Sequence, residues 1–132
     1  MLDNKFIQTN FLENHKSVKK VIYPELQSGN SKMSADKHLQ GGYGGLVGFE
    51  LSGGLQAGKK FIDALELFYH VANIGDARSL AIHPATTTHS QLSAEEQFKT
   101  GVSEDYVRLS VGIEHIDDII IDLTKAIEKS QT

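Results

Sequence analysis

The 132-residue chain contains no cysteine. Disulfide staples, thiolate zinc sites and cysteine nucleophiles are therefore excluded, and the absence fits a reducing compartment. Positive charge is not in excess: 13 Lys and Arg stand against 17 Asp and Glu, for a formal net charge of −4. The basic residues are scattered, and Lys19–Lys20 and Lys59–Lys60 are only pairs. A nucleic-acid surface needs a concentrated basic patch instead. No apolar run approaches the length of a membrane span. Asp3, Lys5, Glu13 and Lys16 interrupt any secretory apolar stretch near the start. Proline is scarce, at Pro24 and Pro84 only, and each follows a strand-like segment that it stops. There is no internal repeat and no low-complexity tract. What remains is one domain with enough residues for a real core, expected to be soluble and cytoplasmic.

Periodicity divides the chain into elements. Leu2–His15 reads as an amphipathic helix with no obvious cap. Val18–Tyr23 reads as a strand, and Glu25–Gly45 as a glycine-rich loop with room for a short helix around Ser31–Leu39. Leu46–Leu51 is a second strand with Val47, Phe49 and Leu51 on one face. Gln56–Ala72 predicts a helix, since Phe61, Leu65, Phe68 and Ala72 recur at helical spacing and Gly75 follows. Ser79–His83 is a third strand, with Leu80 and Ile82 expected inward. Ser93 and Glu96 form a capping box for a short helix closed by Gly101. Tyr106–Ile113 is a fourth strand, with Val107, Leu109, Val111 and Ile113 on one side and Tyr106, Arg108, Ser110 and Gly112 on the other. His115–Lys129 is the last helix, with Asp117 and Asp118 at its positive end. The pattern predicts an α+β, two-layer domain: a mainly antiparallel four-stranded sheet with helices on one face. The other sheet face would then hold Gly48, Glu50, Ser79, Ala81, His83, Arg108, Ser110 and Gly112.

Several motifs suggest chemistry. Gly53 to Lys59 satisfies G-x-x-x-x-G-K between a strand and a helix, the layout of a phosphate loop. Lys60, however, stands where a Ser or Thr would bind magnesium, and the preceding strand carries Glu50. A glycine turn feeding a helix is the better reading. The six histidines never occur at i, i+4 on a helix, so no metal site is expected; His83 before Pro84 is read as hydrogen-bonded in a strand-to-loop turn. A Ser90, His89 and Asp76 triad lacks a nucleophile elbow, and local turn bonding explains the hydroxyl-rich stretch Ala85–Leu92 better. Arg108 is different. A guanidinium fixed on a strand, on the face away from the core, suits a two-pronged grip on a carboxylate. Ser79 is expected on the same face. By spacing alone, a solvated arginine and a surface serine are the better explanation of the pair.

The run Asn73-Ile-Gly-Asp-Ala-Arg-Ser-Leu-Ala-Ile-His-Pro-Ala-Thr-Thr-Thr-His-Ser-Gln-Leu92, followed by Val107-Arg-Leu-Ser-Val-Gly-Ile-Glu-His-Ile-Asp-Asp-Ile-Ile120, resembles the C-terminal domain of O-acetylhomoserine sulfhydrylases. Gly48–Gly54 and Ala57–Asp63 are similar to the same domain. These enzymes belong to the pyridoxal-phosphate-dependent Cys/Met-metabolism family, of fold type I. The resemblance implies that Arg108 binds the α-carboxylate of the amino-acid substrate and that Ser79 lines that pocket. It implies that residues 1–16 form a helix joining a large cofactor domain and that residues 17–132 form the C-terminal, substrate-side domain. Catalytic and cofactor-binding residues are not expected within this stretch, because the family's cofactor lysine and phosphate ligands lie in the large domain. Residues 1–132 alone are thus expected to hold no pyridoxal phosphate and to be inactive. The implied parent reaction is γ-replacement of the O-acyl group of O-acylhomoserine by sulfide or a thiol, in methionine and cysteine metabolism, within a homo-oligomer. Alternatives are the same domain from a cystathionine γ-synthase or γ-lyase relative, or a stand-alone amino-acid-binding or regulatory domain.

Overall fold

The computed structural model describes residues 6–132. Five strands form one sheet in the order β1-β2-β5-β4-β3. They are β1 (Val18–Ile22), β2 (Leu46–Leu51), β3 (Tyr69–His70), β4 (Leu80–Ile82) and β5 (Tyr106–Ser110). The pairings β1–β2, β2–β5 and β5–β4 are antiparallel, whereas β3 runs parallel to β4. The sheet is therefore five-stranded and mixed, not four-stranded. The added strand is a two-residue edge, with both residues exposed, too short for any periodicity to announce it.

The helices are α1 (Gly29–His38), α2 (Gly54–Ala64), α3 (Ala94–Lys99) and α4 (Ile116–Ser130). Helices α2 and α4 pack together on one sheet face. Phe61, Ile119, Leu123, Ala126 and Ile127 there join Val47, Phe49, Leu51, Val107 and Leu109 in one buried cluster. Phe49 and Phe61 meet edge to face, with ring centroids 5.5 Å apart, the geometry their quadrupoles favour. Each fully buried aliphatic side chain on α4 is worth about 1.5–3 kcal/mol. The turn Phe6–Leu12 is π-helical and adds Ile7 and Leu12 to the core. The start of the expected Leu2–His15 helix lies outside the described residues. Helix α1 buries nothing; the Tyr43 hydroxyl ties it to the following loop by donating to Asp36 Oδ1 at 2.7 Å, and the Lys32–Asp36 pair lies within the helix.

Three sequence expectations need correction. Helix α2 stops at Ala64, not Ala72, because Leu65 is extended and the next three amides are captured from outside the helix. Strand β5 ends at Ser110, so Ile113 is exposed rather than inward. Finally, the faces of β4 are reversed. Ala81 pairs with Leu109 and joins the core cluster, while Leu80 and Ile82 pair with Ser110 and Arg108 on the opposite face. Every residue from Ser79 to His83 is buried, so there was no in–out alternation to read. Leu80, Ile82, Ala85 and Val102 are buried yet stand outside the main cluster. Near β4, then, the far sheet face is closed.

Candidate substrate-carboxylate site

Arg108 sits on β5, the central strand. Its register partners are Gly48 on one side and Ile82 on the other. Gly48 leaves room there: a Cβ at this position would lie inside the ring of Tyr106. Tyr106 is half-buried two residues before Arg108, and burial raises its phenol pKa against the opposing pull of the guanidinium. Arg108 itself is partly exposed. Its Nη2 donates to the Ala72 carbonyl at 2.7 Å. Among the described residues no carboxylate pairs with it. The acceptor that the guanidinium meets is thus a neutral carbonyl.

The acceptor belongs to the loop between β3 and β4, which is braced in several places. Arg78 bonds to Asp76 through Nε and Nη2 and lies over the Tyr69 ring, 4.6 Å from its centroid. The Gly75 amide donates to Ser110 Oγ at 3.2 Å, and the Ile113 amide donates to the Ala77 carbonyl at 2.9 Å. Ser79 closes the loop and is completely buried. Its amide and hydroxyl donate to Glu114 Oε1 and Oε2 at 2.6 and 2.8 Å, and its Oγ accepts from the Gly112 amide at 2.9 Å. Ser79 therefore does not flank Arg108 across the strands as alternation suggested; Ile82 occupies that position. The hydroxyl instead joins the loop to the turn that follows β5. Reasoning from the sequence missed Glu114. Its one available signal is a carboxylate two residues past a glycine at a strand end, where the chain must turn.

The other motifs resolve into structural roles. His83 packs against α2, and a Cβ at Gly58 would collide with its ring. Its Nε2 donates to the Glu104 carbonyl at 2.7 Å, and Nδ1 lies 2.9 Å from the Thr86 hydroxyl. Burial pushes its pKa below the ordinary histidine value, against the pull of the Glu104 carbonyl and the charge of Asp105. The G-x-x-x-x-G-K run is equally accounted for. Gly53 adopts a left-handed φ of 107° at the start of α2, and Gly58 admits the imidazole. Ser90 donates to the Thr87 carbonyl, His89 bonds Thr88, and Asp76 pairs with Arg78, so no triad assembles.

No cradle for pyridoxal phosphate forms among the described residues. The Glu104 carboxylate stands beside Gly54 at the start of α2, where it would repel a phosphate. None of the described lysines is buried: Lys19 pairs with Asp105, Lys99 with Glu95, and Lys60 reaches the Thr132 carbonyl. Such solvated amines lack the burial and neighbours that activate a nucleophilic lysine.

This architecture is that of pyridoxal-phosphate enzymes. A crystal structure named as an O-acetylhomoserine (thiol)-lyase from Campylobacter jejuni, which carries a pyridoxyl-lysine monophosphate, superposes with a TM-score of 0.84 at 42% identity, over 95% of this chain and 30% of that one. The chain belongs to the Cys/Met metabolism PLP-dependent enzyme family, whose model it matches over residues 3–128. It is 53% identical over 119 residues to O-acetyl-L-homoserine sulfhydrylase of Leptospira meyeri, covering 89% of this chain and 27% of the relative. It is 46% identical over 127 residues to homocysteine synthase of Schizosaccharomyces pombe, covering 96% and 30%. The chain thus spans less than a third of the length of these relatives.

Proposed function

We propose that this chain supplies the substrate-carboxylate side of a pyridoxal-phosphate-dependent O-acetylhomoserine sulfhydrylase, an enzyme that replaces the O-acyl group of homoserine with sulfide or a thiol in methionine and cysteine metabolism. The observation that carries the reading is Arg108: a guanidinium on the central strand, aimed by the Ala72 carbonyl and paired with no carboxylate among the described residues. Its role is to hold the α-carboxylate of O-acylhomoserine, and Ser79 fixes the loop that edges the same pocket. The similarity to a sulfhydrylase at 53% identity and to a homocysteine synthase at 46% supports the reaction class. The cofactor is held by other residues of the enzyme, and residues 1–132 alone do not turn over. The enzyme is a cytoplasmic homo-oligomer in this reading; the lack of cysteine and the exposed Phe98 and Ile113 are compatible with both points.

The test is Arg108→Ala in the full-length native gene product loaded with cofactor. Charge-assisted bonds contribute about 1.5–3 kcal/mol each, so kcat/KM for O-acetylhomoserine should fall roughly a hundredfold or more. The KM for sulfide, which has no carboxylate, should stay within about twofold. An unchanged KM for the amino acid would overturn the assignment.

A further inference from the structure

We propose that Glu114 is a positioning residue for the carboxylate grip, acting through the β3–β4 loop rather than by touching substrate. The proposal rests on the reading of Arg108 above and deepens it. Arg108 can offer a fixed pair of donors only if its own acceptor is fixed. That acceptor, the Ala72 carbonyl, lies in a loop whose Val71–Arg78 residues are, with the exception of Asp76, exposed. An exposed loop of this kind drifts unless something outside it holds it.

Glu114 supplies that hold. Both of its carboxylate oxygens are spent on Ser79, one on the amide and one on the hydroxyl. The same hydroxyl oxygen then accepts from the Gly112 amide, so one serine ties the loop to the strand exit from both sides. Space is tight around this junction. A Cβ on Gly112 would collide with the Ala77 carbonyl and with the Glu114 carboxylate. The Ile113-to-Ala77 and Gly75-to-Ser110 bonds repeat the link along the loop. Gly112 and Glu114 follow Arg108 by four and six residues on the same segment. The segment that carries the guanidinium thus runs directly into the clamp that sets its acceptor. A carboxylate acceptor is needed because two donors from one residue must be satisfied at once. A glutamine offers one oxygen to the amide but can only donate toward the hydroxyl, leaving that hydroxyl proton without its acceptor.

The test compares two amines without a γ-leaving group that differ only by a carboxylate, L-norvaline and n-butylamine, by titration calorimetry on the full-length holoenzyme. Glu114→Gln should cut the preference for norvaline about tenfold, which corresponds to about 1.4 kcal/mol. It should raise KM for O-acetylhomoserine by a similar factor with kcat within about twofold. Ser79→Ala keeps the amide bond but loses the hydroxyl bridge, so it should show a smaller loss of the same kind; it also serves if Glu114→Gln does not fold. Arg108→Ala should abolish the preference. If Arg108→Ala abolishes it while Glu114→Gln and Ser79→Ala retain it in full, the role given to Glu114 is wrong and the grip stands. If Arg108→Ala retains it, the reading of the site itself falls. A variant whose melting temperature drops with the preference intact also overturns the proposal, because Glu114 would then stabilise the fold without aiming the arginine.

Discussion

At the scale of single residues, three glycines show how close contacts shape the fold. Gly48 makes room for the Tyr106 ring beside Arg108, Gly58 makes room for His83 inside the helix layer, and Gly112 lets the loop carbonyls approach the strand exit. None of the three has a left-handed φ, so each is required for space and not for backbone freedom. Gly58→Ala tests this directly. In an open helix the change to alanine would stabilise by up to about 1 kcal/mol. Here the new methyl meets a buried imidazole bonded at both nitrogens, so overpacking should win and cost about 1–3 kcal/mol. Urea denaturation of the variant gives the sign: a gain in stability would show that His83 can move aside.

At the scale of elements, the end of α2 is decided by a residue far away in sequence. Asp122 on α4 is buried and accepts from the amides of Glu66, Leu67 and Phe68 at 2.8, 2.9 and 3.1 Å. It pulls the chain out of the helix and sends it towards β3. Asp122→Ala removes all three acceptor contacts and should destabilise by about 2–3 kcal/mol, since one buried and two half-buried amides would lose their acceptor. Hydrogen exchange should show Glu66–Phe68 losing protection first, and protection equal to the parent protein's would refute this account. The same residue explains what the sequence could and could not show. The apolar spacing through Phe61 is helical and the structure agrees, but Phe68 is buried for a different reason. A helix-compatible pattern continued past the true end because the stop signal sits 56 residues away. Local signals with local partners were legible: the Ser93–Glu96 capping box forms as read, and Asp117 and Asp118 do open α4, with His115 as its cap. The face of Arg108 was legible because β5 alternates from Tyr106 to Leu109, although Ser110 at its end is buried as well. The faces of β4 were not, because both are covered.

At the scale of the whole molecule, stability below neutrality should depend on His83. It lies where the α2 layer meets β4 and the Glu104 turn, so protonating it would place a charge between two packed layers. Burial lowers its pKa in the folded state, whereas the unfolded chain holds a histidine near about 6.5. Between those two values the unfolded state binds more protons, so stability rises with pH across that window. In the opposite direction, the contribution is complete above about 6.5 and is lost as pH falls from there towards the folded value. The carboxylates of Asp76 and Glu96 are lowered by bonds to Arg78 and Ser93. Their contributions are lost only at more acid pH, below the ordinary carboxylate range near about 4. The two effects are therefore separable. Denaturation midpoints should fall between pH 7.5 and pH 5 in the parent protein. His83→Gln, whose amide can still donate to the Glu104 carbonyl, should be less stable at pH 7.5 and should lose most of that slope. If the variant keeps the full slope, another group titrates in the window, and the packed layers around His83 accommodate its charge.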